Sequence, residues 1–435
     1  MDRQKALNGL WGTLVIALIS VACGGGRVTN DLKFDSAANV ALDGVITRGV
    51  VITDSDSDEL ATRQAKEQLM YSIGQLNGIY GGVDMPHAVI TVGTKTPQAG
   101  GKFKVEYRAS MMLSWPRSMQ IPQTYTLYMP ARGDAPGREA FFDTFGADES
   151  GRKQCLADDA HEVGVGSFWY YYRPLKNTCP ATGSSLTIRT PITLTLSAEN
   201  TQGKAPEYGK IWEDGKLQVT AVFSKYESGA TSANDAGIAI YRSHYYDLLN
   251  TFGSPISTSL PQGQSPSATN DEIRVVFRTS KGPLEVSMFL LDSVGGARAT
   301  FVERYNVLSA TADFVSYDGH SGLGANIRAL TRMGRFQTGQ YQVFLLNGCD
   351  SFSYVDNALR QAHTAVNPTY GPDKFVDIIT NARPSQFNQM SRATMAVVRS
   401  LVGGTRTYRQ ILADFDDSQR AAVTGEQDNR WPQPF

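Results

Sequence analysis

Cysteine and histidine are scarce in this sequence, with four and five copies among 435 residues. There is no long basic run, and the formal net charge is -1, so the charge pattern gives no reason to expect nucleic acid as a partner. Beyond the N-terminus, no segment has the ~18 apolar residues that a transmembrane helix needs, which argues against a membrane-spanning chain. Each cysteine and histidine can therefore be considered individually as a candidate site residue.

The composition is typical of a folded protein. Hydrophobic residues make up 41% of the chain and charged residues 19%, which is not the composition of a disordered chain. A length of 435 residues is enough for two ordinary cores, so two domains are predicted. A peptide or a sugar is a more plausible partner than a polyanion.

The N-terminus has the features of an export signal. Arg3 and Lys5 precede an apolar stretch from Leu10 to Ile19, and small residues follow before Cys23. The "SVAC" and "GGG" segments resemble a bacterial lipoprotein processing site, which implies a signal peptide over 1–22, a lipid on Cys23 and a tether over 23–40. The protein would then be exported and anchored by lipid in the bacterial cell envelope. A plain secretory signal, cleaved nearby, remains the alternative.

If the protein is in an oxidising compartment, its number of cysteines predicts one disulfide. If Cys23 carries lipid, three cysteines remain, and two of them bracket one loop-like segment. We therefore predict a bridge between Cys155 and Cys179, with Cys349 left as a free thiol. The alternative is that all three are buried thiols.

The pattern of strand and helix segments in the first half of the chain predicts an α+β domain over 41–205. The β-branched "VALDGVITRGVVIT" reads as a strand, and apolar residues then recur at helical spacing until Gly78. Further β segments follow, separated by turns that contain Pro and Gly. The "SFWYYYRP" segment, read as a strand, is either a stacking surface for a sugar or peptide or, as we favour, core packing.

The second half predicts an α/β domain over 216–415, followed by a tail over 416–435. Apolar strand segments alternate with amphipathic helical segments, for example "KLQVTAVFSKY" followed by "SANDAGIAIYRSHYYDLLNTFG". Such alternation favours a mainly parallel sheet with helices on both faces, the three-layer arrangement. The reactive edge of such a sheet lies at the carboxyl ends of its strands.

In the second half of the chain, two apolar runs are each followed by a glycine and then by a side chain that can take part in catalysis. "ADFVSYDGHSG" ends at His320, and "YQVFLLNGCD" ends at Cys349, so the two residues should meet at the carboxyl edge of neighbouring strands. An imidazole beside a thiol can generate the nucleophilic thiolate and later return the proton. Backbone around Ser321 and Gly322 can approach an oxyanion closely. His161 lacks the second histidine of a zinc motif, and neither a metal nor an organic cofactor is expected.

The segments "YDGHSG" and "FLLNGCDS", with the order of elements around them, resemble the caspase-like cysteine peptidases, which include gingipains, clostripain and legumain. The resemblance implies a caspase-like α/β fold and peptide-bond hydrolysis, with His320 as general base and acid and Cys349 as nucleophile. It also implies that the N–H of Cys349 and the N–H after the histidine bind the oxyanion.

Two further expectations concern specificity and an alternative function. Asp318 and Asp350 flank the dyad and could favour a basic residue at the cleavage position, although acids in such turns more commonly satisfy local N–H groups. The alternative function is a non-catalytic surface lipoprotein, in which a degenerate caspase-like domain accompanies an N-terminal domain that binds a partner or glycan.

Overall fold

Two β-sheets organise the chain. The structure is a computed structural model and describes residues 32–146 and 154–425. The predicted signal peptide and Cys23 lie outside these residues. No helix in the described ranges combines the length and hydropathy needed to cross a bilayer.

The N-terminal domain is built on a six-stranded sheet in which every observed pairing is antiparallel. The strands run in the order β2-β4-β1-β6-β5, and β3 pairs with β4. Helices pack on this sheet around a core that includes Leu69, Ile73 and Trp115. The strands and helices are β1 (Asn39–Thr53), α1 (Asp58–Leu69), α2 (Tyr71–Asn77), β2 (Gly82–Val83), β3 (Val89–Gln98), β4 (Lys102–Pro116), β5 (Thr124–Pro130), α3 (Ala135–Phe145), α4 (Phe168–Tyr171) and β6 (Thr187–Leu196).

The helix predicted to run up to Gly78 is interrupted at Met70. The hydroxyl of Ser72 donates a hydrogen bond to the Leu69 carbonyl at 2.6 Å, and the N–H of Ile73 bonds to the Met70 carbonyl three residues back. Side-chain bonding of this kind competes with the regular helical ladder. The segment is therefore two helices, α1 and α2, which the apolar spacing alone did not predict.

The C-terminal domain contains an eight-stranded sheet in the order β14-β13-β12-β11-β7-β10-β9-β8. Its elements are α5 (Tyr208–Ile211), β7 (Leu217–Ser224), α6 (Ala236–Phe252), β8 (Ser257–Thr258), β9 (Glu272–Arg278), β10 (Pro283–Leu291), α7 (Ala299–Leu308), β11 (Phe314–Asp318), α8 (Ala325–Thr331), β12 (Gln342–Asn347), α9 (Ala358–Val366), β13 (Val376–Asn381), α10 (Phe387–Gly403), α11 (Tyr408–Leu412) and β14 (Ala421–Gly425).

The predicted mainly parallel, caspase-like three-layer fold is wrong, because this sheet is mixed. Parallel pairings are confined to β13, β12, β11, β7 and β10, and antiparallel strands flank them on both sides. Over the described parts of both sheets, antiparallel pairings outnumber parallel ones by eight to four. The physical reason is that short connections, such as the one between β9 and β10, join antiparallel strands as hairpins. The alternation of helical and strand segments in the sequence does not show which connections are hairpins and which are crossovers.

Apolar side chains cover both faces of the mixed sheet. On one face, residues of β7 and β12 such as Val219 and Leu345 share a core with α6 and α10. On the other face, Val315 and Phe344 pack with the short helices α7, α8 and α9, which have ten, seven and nine residues.

The two domains are in direct contact. Phe34 and Met112 of the N-terminal part cluster with Phe352 and Ala422 of the C-terminal part, and the His87 Nε2 atom lies 2.9 Å from Asn357 Oδ1. The predicted C-terminal tail is part of the fold, since β14 pairs with β13 along 421–425. Burial of its apolar residues, rather than local composition, makes this segment a strand.

Candidate active site

The carboxyl ends of β11 and β12 meet, as the sequence predicted for His320 and Cys349. The strands are parallel neighbours in which Asp318 lies opposite Asn347, and each candidate residue follows its strand by two positions. The loops touch, because a Cβ atom on Gly348 would lie only 2.4 Å from Ser321 Oγ. Glycine at position 348 is therefore required by close packing of the two loops.

A cleft of about 1200 Å³ opens over these two loops. His320 and Cys349 both line it, so the structure brings the two predicted residues to one cavity. Its opposite wall belongs to the N-terminal domain. Residues of the two walls include Asn77, Tyr80, Tyr170, Tyr171, Arg173, Tyr226, Ser385 and Phe387.

The His320 ring is held between two aromatic rings. Its centroid lies 4.8 Å from that of Tyr226 and 4.9 Å from that of Phe387. Its backbone carbonyl accepts hydrogen bonds from the Tyr317 hydroxyl at 2.6 Å and the Asn326 amide at 2.9 Å. Burial, with a smaller contribution from His161, lowers the pKa of His320, so the imidazole is neutral near pH 7 and can accept a proton.

The Cys349 thiol is half-buried and protonated at rest. It donates a hydrogen bond to the Ser385 carbonyl at 3.4 Å. Burial, followed by the nearby Asp350 carboxyl, raises the pKa of Cys349 to about 11. Within the described residues, no hydrogen bond joins the thiol to the His320 ring and no carboxylate is hydrogen-bonded to that ring. The pair is therefore a neutral thiol and a neutral imidazole, not an ion pair.

Three backbone N–H groups belong to loop residues that line the cleft. The N–H groups of Ser321, Gly322 and Cys349 donate to no acceptor in the described part of the chain. The backbone turns through left-handed conformations at Gly322, Leu323 and Gly324, with φ of 58°, 50° and 90°. Unpaired N–H groups in such a turn favour a negatively charged oxygen.

Asp318 is a structural residue in this arrangement. It is fully buried, and its carboxyl accepts hydrogen bonds from the Thr394 hydroxyl at 2.9 Å and the Asn347 amide at 2.8 Å. Burial raises its pKa to about 7. A carboxyl held between β11, β12 and α10 in this way does not reach a substrate, which argues against the specificity role that the sequence suggested.

Asp350 is also fully buried, directly after Cys349. Its φ is 49°, and neither carboxyl oxygen has a partner within hydrogen-bond distance and angle. Burial raises its pKa to about 7, and the Tyr170 phenol, the Arg173 charge and the Asn77 amide oppose that rise. Asp350 therefore acts on Cys349 through its charge rather than by lining the cleft.

The predicted disulfide between Cys155 and Cys179 is confirmed. Their Cα atoms are 4.6 Å apart. The enclosed aromatic segment forms the short helix α4 rather than the predicted strand, and its residues Tyr170 and Tyr171 line the cleft. The sequence analysis favoured core packing for this segment and offered a ligand-facing surface as the alternative; the structure shows both, since Tyr170 belongs to the core and also lines the cleft.

No protein-family model and no curated protein sequence matches this chain. No group of three or more His, Cys, Asp and Glu side chains is arranged to hold a metal ion within 32–146 and 154–425. The chemistry of the site is therefore inferred from its own geometry.

Proposed function

We propose that the protein is a thiol-dependent hydrolase that cleaves peptide bonds through Cys349 and His320. The observation that carries this proposal is the convergence of a thiol, a neutral imidazole and three unbonded N–H groups on one large cleft. A nucleophile, a base and oxyanion donors are the three parts that acyl transfer requires. The proposal depends on this geometry and not on a caspase-like fold.

The neutral state of the pair determines the first step. His320 removes the thiol proton as the Cys349 sulfur forms a bond to the substrate carbonyl carbon, and the carbonyl π electrons move to the oxygen. In this proposal the N–H groups of Ser321, Gly322 and Cys349 stabilise that oxyanion. Because the thiol has a raised pKa, general-base removal of its proton during attack fits the site better than a preformed thiolate.

The second half of the reaction returns each group to its starting state. The oxyanion collapses, the C–N bond breaks, and the imidazolium of His320 protonates the leaving amine, which leaves a thioester on Cys349. Water then attacks the thioester while His320 accepts a water proton, and the sulfur leaves and recovers its proton from the ring. No metal or organic cofactor takes part in this scheme.

Alanine substitution tests the proposal. Cys349→Ala and His320→Ala should each abolish cleavage of a broad peptide library, and the double variant should be little worse than either, because the two residues act as one unit. Asn388→Ala is the matched control, since Asn388 also lines the cleft but is exposed and does not act on the pKa of His320 or Cys349. Equal loss in all three single variants, or no cleavage by wild-type protein, would contradict the assignment.

A second candidate function is non-catalytic binding of a partner. The observation that favours it is the hydrogen bond from the Cys349 thiol to Ser385 in place of His320. Iodoacetamide discriminates between the two functions when wild-type protein is compared with His320→Ala. A thiol whose proton His320 removes should be alkylated more slowly in the variant, whereas an inert thiol should react at the same rate with and without the imidazole.

We also propose export with lipid attachment at Cys23. The disulfide supports an oxidising compartment, and the sequence before Cys23 supports the processing site. Cys23→Ser should release the protein from membranes, whereas unchanged membrane association would exclude the anchor.

A further inference from the structure

The cleft wall that faces Cys349 is supplied by α4 of the N-terminal domain. Cys349 packs against the core of that domain, which includes Tyr170. Tyr170 is 7% exposed and lines the same cleft as Cys349 and His320. A residue from the first half of the chain thus lines the cleft that holds the reactive thiol of the second half.

The position of α4 is tightly constrained. A Cβ atom on Gly74 would lie 2.4 Å from the Trp169 carbonyl oxygen and 2.9 Å from that of Tyr170, so α2 and α4 are in close backbone contact. The Arg173 N–H donates to the Cys155 carbonyl at 2.7 Å, which ties the end of the helix to the disulfide. The packing of the α4 backbone therefore fixes the position of the Tyr170 ring in the cleft.

Burial raises the pKa of Tyr170, and charges on Cys349 and Asp350 raise it further, which indicates that both groups lie near the phenol. In the resting site the Asp350 carboxyl is not hydrogen-bonded to it. Burial and the Asp350 charge disfavour a negative sulfur, while the Tyr170 hydroxyl favours it. A phenol is a neutral donor, so it can stabilise a thiolate without adding a charge to a buried site.

We propose that Tyr170 is a further catalytic residue, whose phenolic O–H donates a hydrogen bond to the Cys349 sulfur as the thiol loses its proton. The proton itself goes to His320, and the phenol keeps its own. This inference rests on the proposed function for the role of the sulfur. It also assigns a role to the N-terminal domain, which completes the reactive centre instead of acting as a separate binding module.

The test is the pH dependence of alkylation of Cys349 by iodoacetamide in Tyr170→Phe protein. Iodoacetamide reacts with the thiolate, and the variant keeps the ring but removes the hydroxyl. We expect the alkylation profile of Cys349 to move up by about 1 pH unit, which is a roughly ten-fold slower reaction below the pKa. Peptide cleavage should slow through kcat rather than KM.

Two comparisons separate this role from indirect effects. Tyr171→Phe is the matched control, because Tyr171 is adjacent, lines the cleft and is near Cys349, but its hydroxyl does not act on the pKa of the thiol; it should shift the profile much less than Tyr170→Phe. Repeating Tyr170→Phe in an Asp350→Asn background removes any effect that passes through the Asp350 charge. Asparagine tolerates the left-handed backbone at this position. Thermal unfolding of each variant checks that the fold is intact.

The alkylation readout does not need peptidase activity. An unchanged profile in Tyr170→Phe, in both backgrounds, would overturn the role of Tyr170 even if the wild-type protein cleaves peptides. A shifted profile in a protein that cleaves nothing would support the contact between Tyr170 and Cys349 and contradict the hydrolase proposal instead.

Discussion

The Ser321 hydroxyl donates a hydrogen bond to the Cys349 carbonyl oxygen across 2.5 Å. This bond joins the loop after β11 to the loop after β12, and it places the residue after the candidate base against the candidate nucleophile. Both loops also carry the unbonded N–H groups of the site. Their separation therefore controls the geometry of the nucleophile and of the oxyanion donors together.

Ser321→Ala should lower the unfolding free energy by about 0.5–1.5 kcal/mol, because it removes one buried hydrogen bond but keeps the backbone N–H. Peptide cleavage should fall more than stability alone explains, since the loops lose their link. Denaturant unfolding and steady-state kinetics measure the two effects. Ser254→Ala, at an exposed serine for which no hydrogen bond is seen in the described residues, should change neither. Full activity in Ser321→Ala would show that the link is dispensable.

Gly348→Ala should separate the same loops by steric contact. The new methyl group would meet Ser321 Oγ at 2.4 Å, and overpacking of this kind costs about 1–3 kcal/mol. We expect lower stability and loss of cleavage. Gly371→Ala is the control, because a Cβ there meets nothing within 4 Å. Unchanged activity in Gly348→Ala would contradict the close packing of the loops.

Asp318→Asn should flatten the dependence of stability on pH. The pKa of Asp318 is raised from 3.8 to about 7 in the folded protein, so the folded state holds its proton over a range in which the unfolded chain has lost it. Its contribution is fully present below about pH 4 and is lost as the pH rises towards 7, at most ~4 kcal/mol for this carboxyl. Denaturant midpoints at pH 4 to 8 measure the slope. An equal slope in the variant would assign the effect to other buried acids.

Replacement of both Cys155 and Cys179 by serine should lower the unfolding free energy by about 3 kcal/mol, because the bridge no longer restricts the unfolded chain. It should also raise KM for peptides, since α4 and its cleft wall lose their anchor. Adding a reductant to wild-type protein should reproduce the change in KM. A variant with wild-type stability and kinetics would show that the wall is held by packing alone.

The sequence by itself determined features that depend on neighbours along the chain. The apolar run ending at His320 and the run ending at Cys349 are local patterns, and they predicted that both residues follow a strand. The bracketing of one segment by Cys155 and Cys179 likewise predicted the disulfide, because few cysteines were left to pair.

Only the tertiary structure decided which strands run antiparallel, that β14 completes the sheet, and that Tyr170 lines the same cleft as Cys349. It also decided that Asp318 and Asp350 are buried, and that the thiol and imidazole rest as a neutral pair. These properties depend on burial and on charges brought together from distant parts of the chain. A pKa responds to desolvation by all surrounding atoms, and strand direction depends on which edges are free to pair, so neither can be read from a local run of residues.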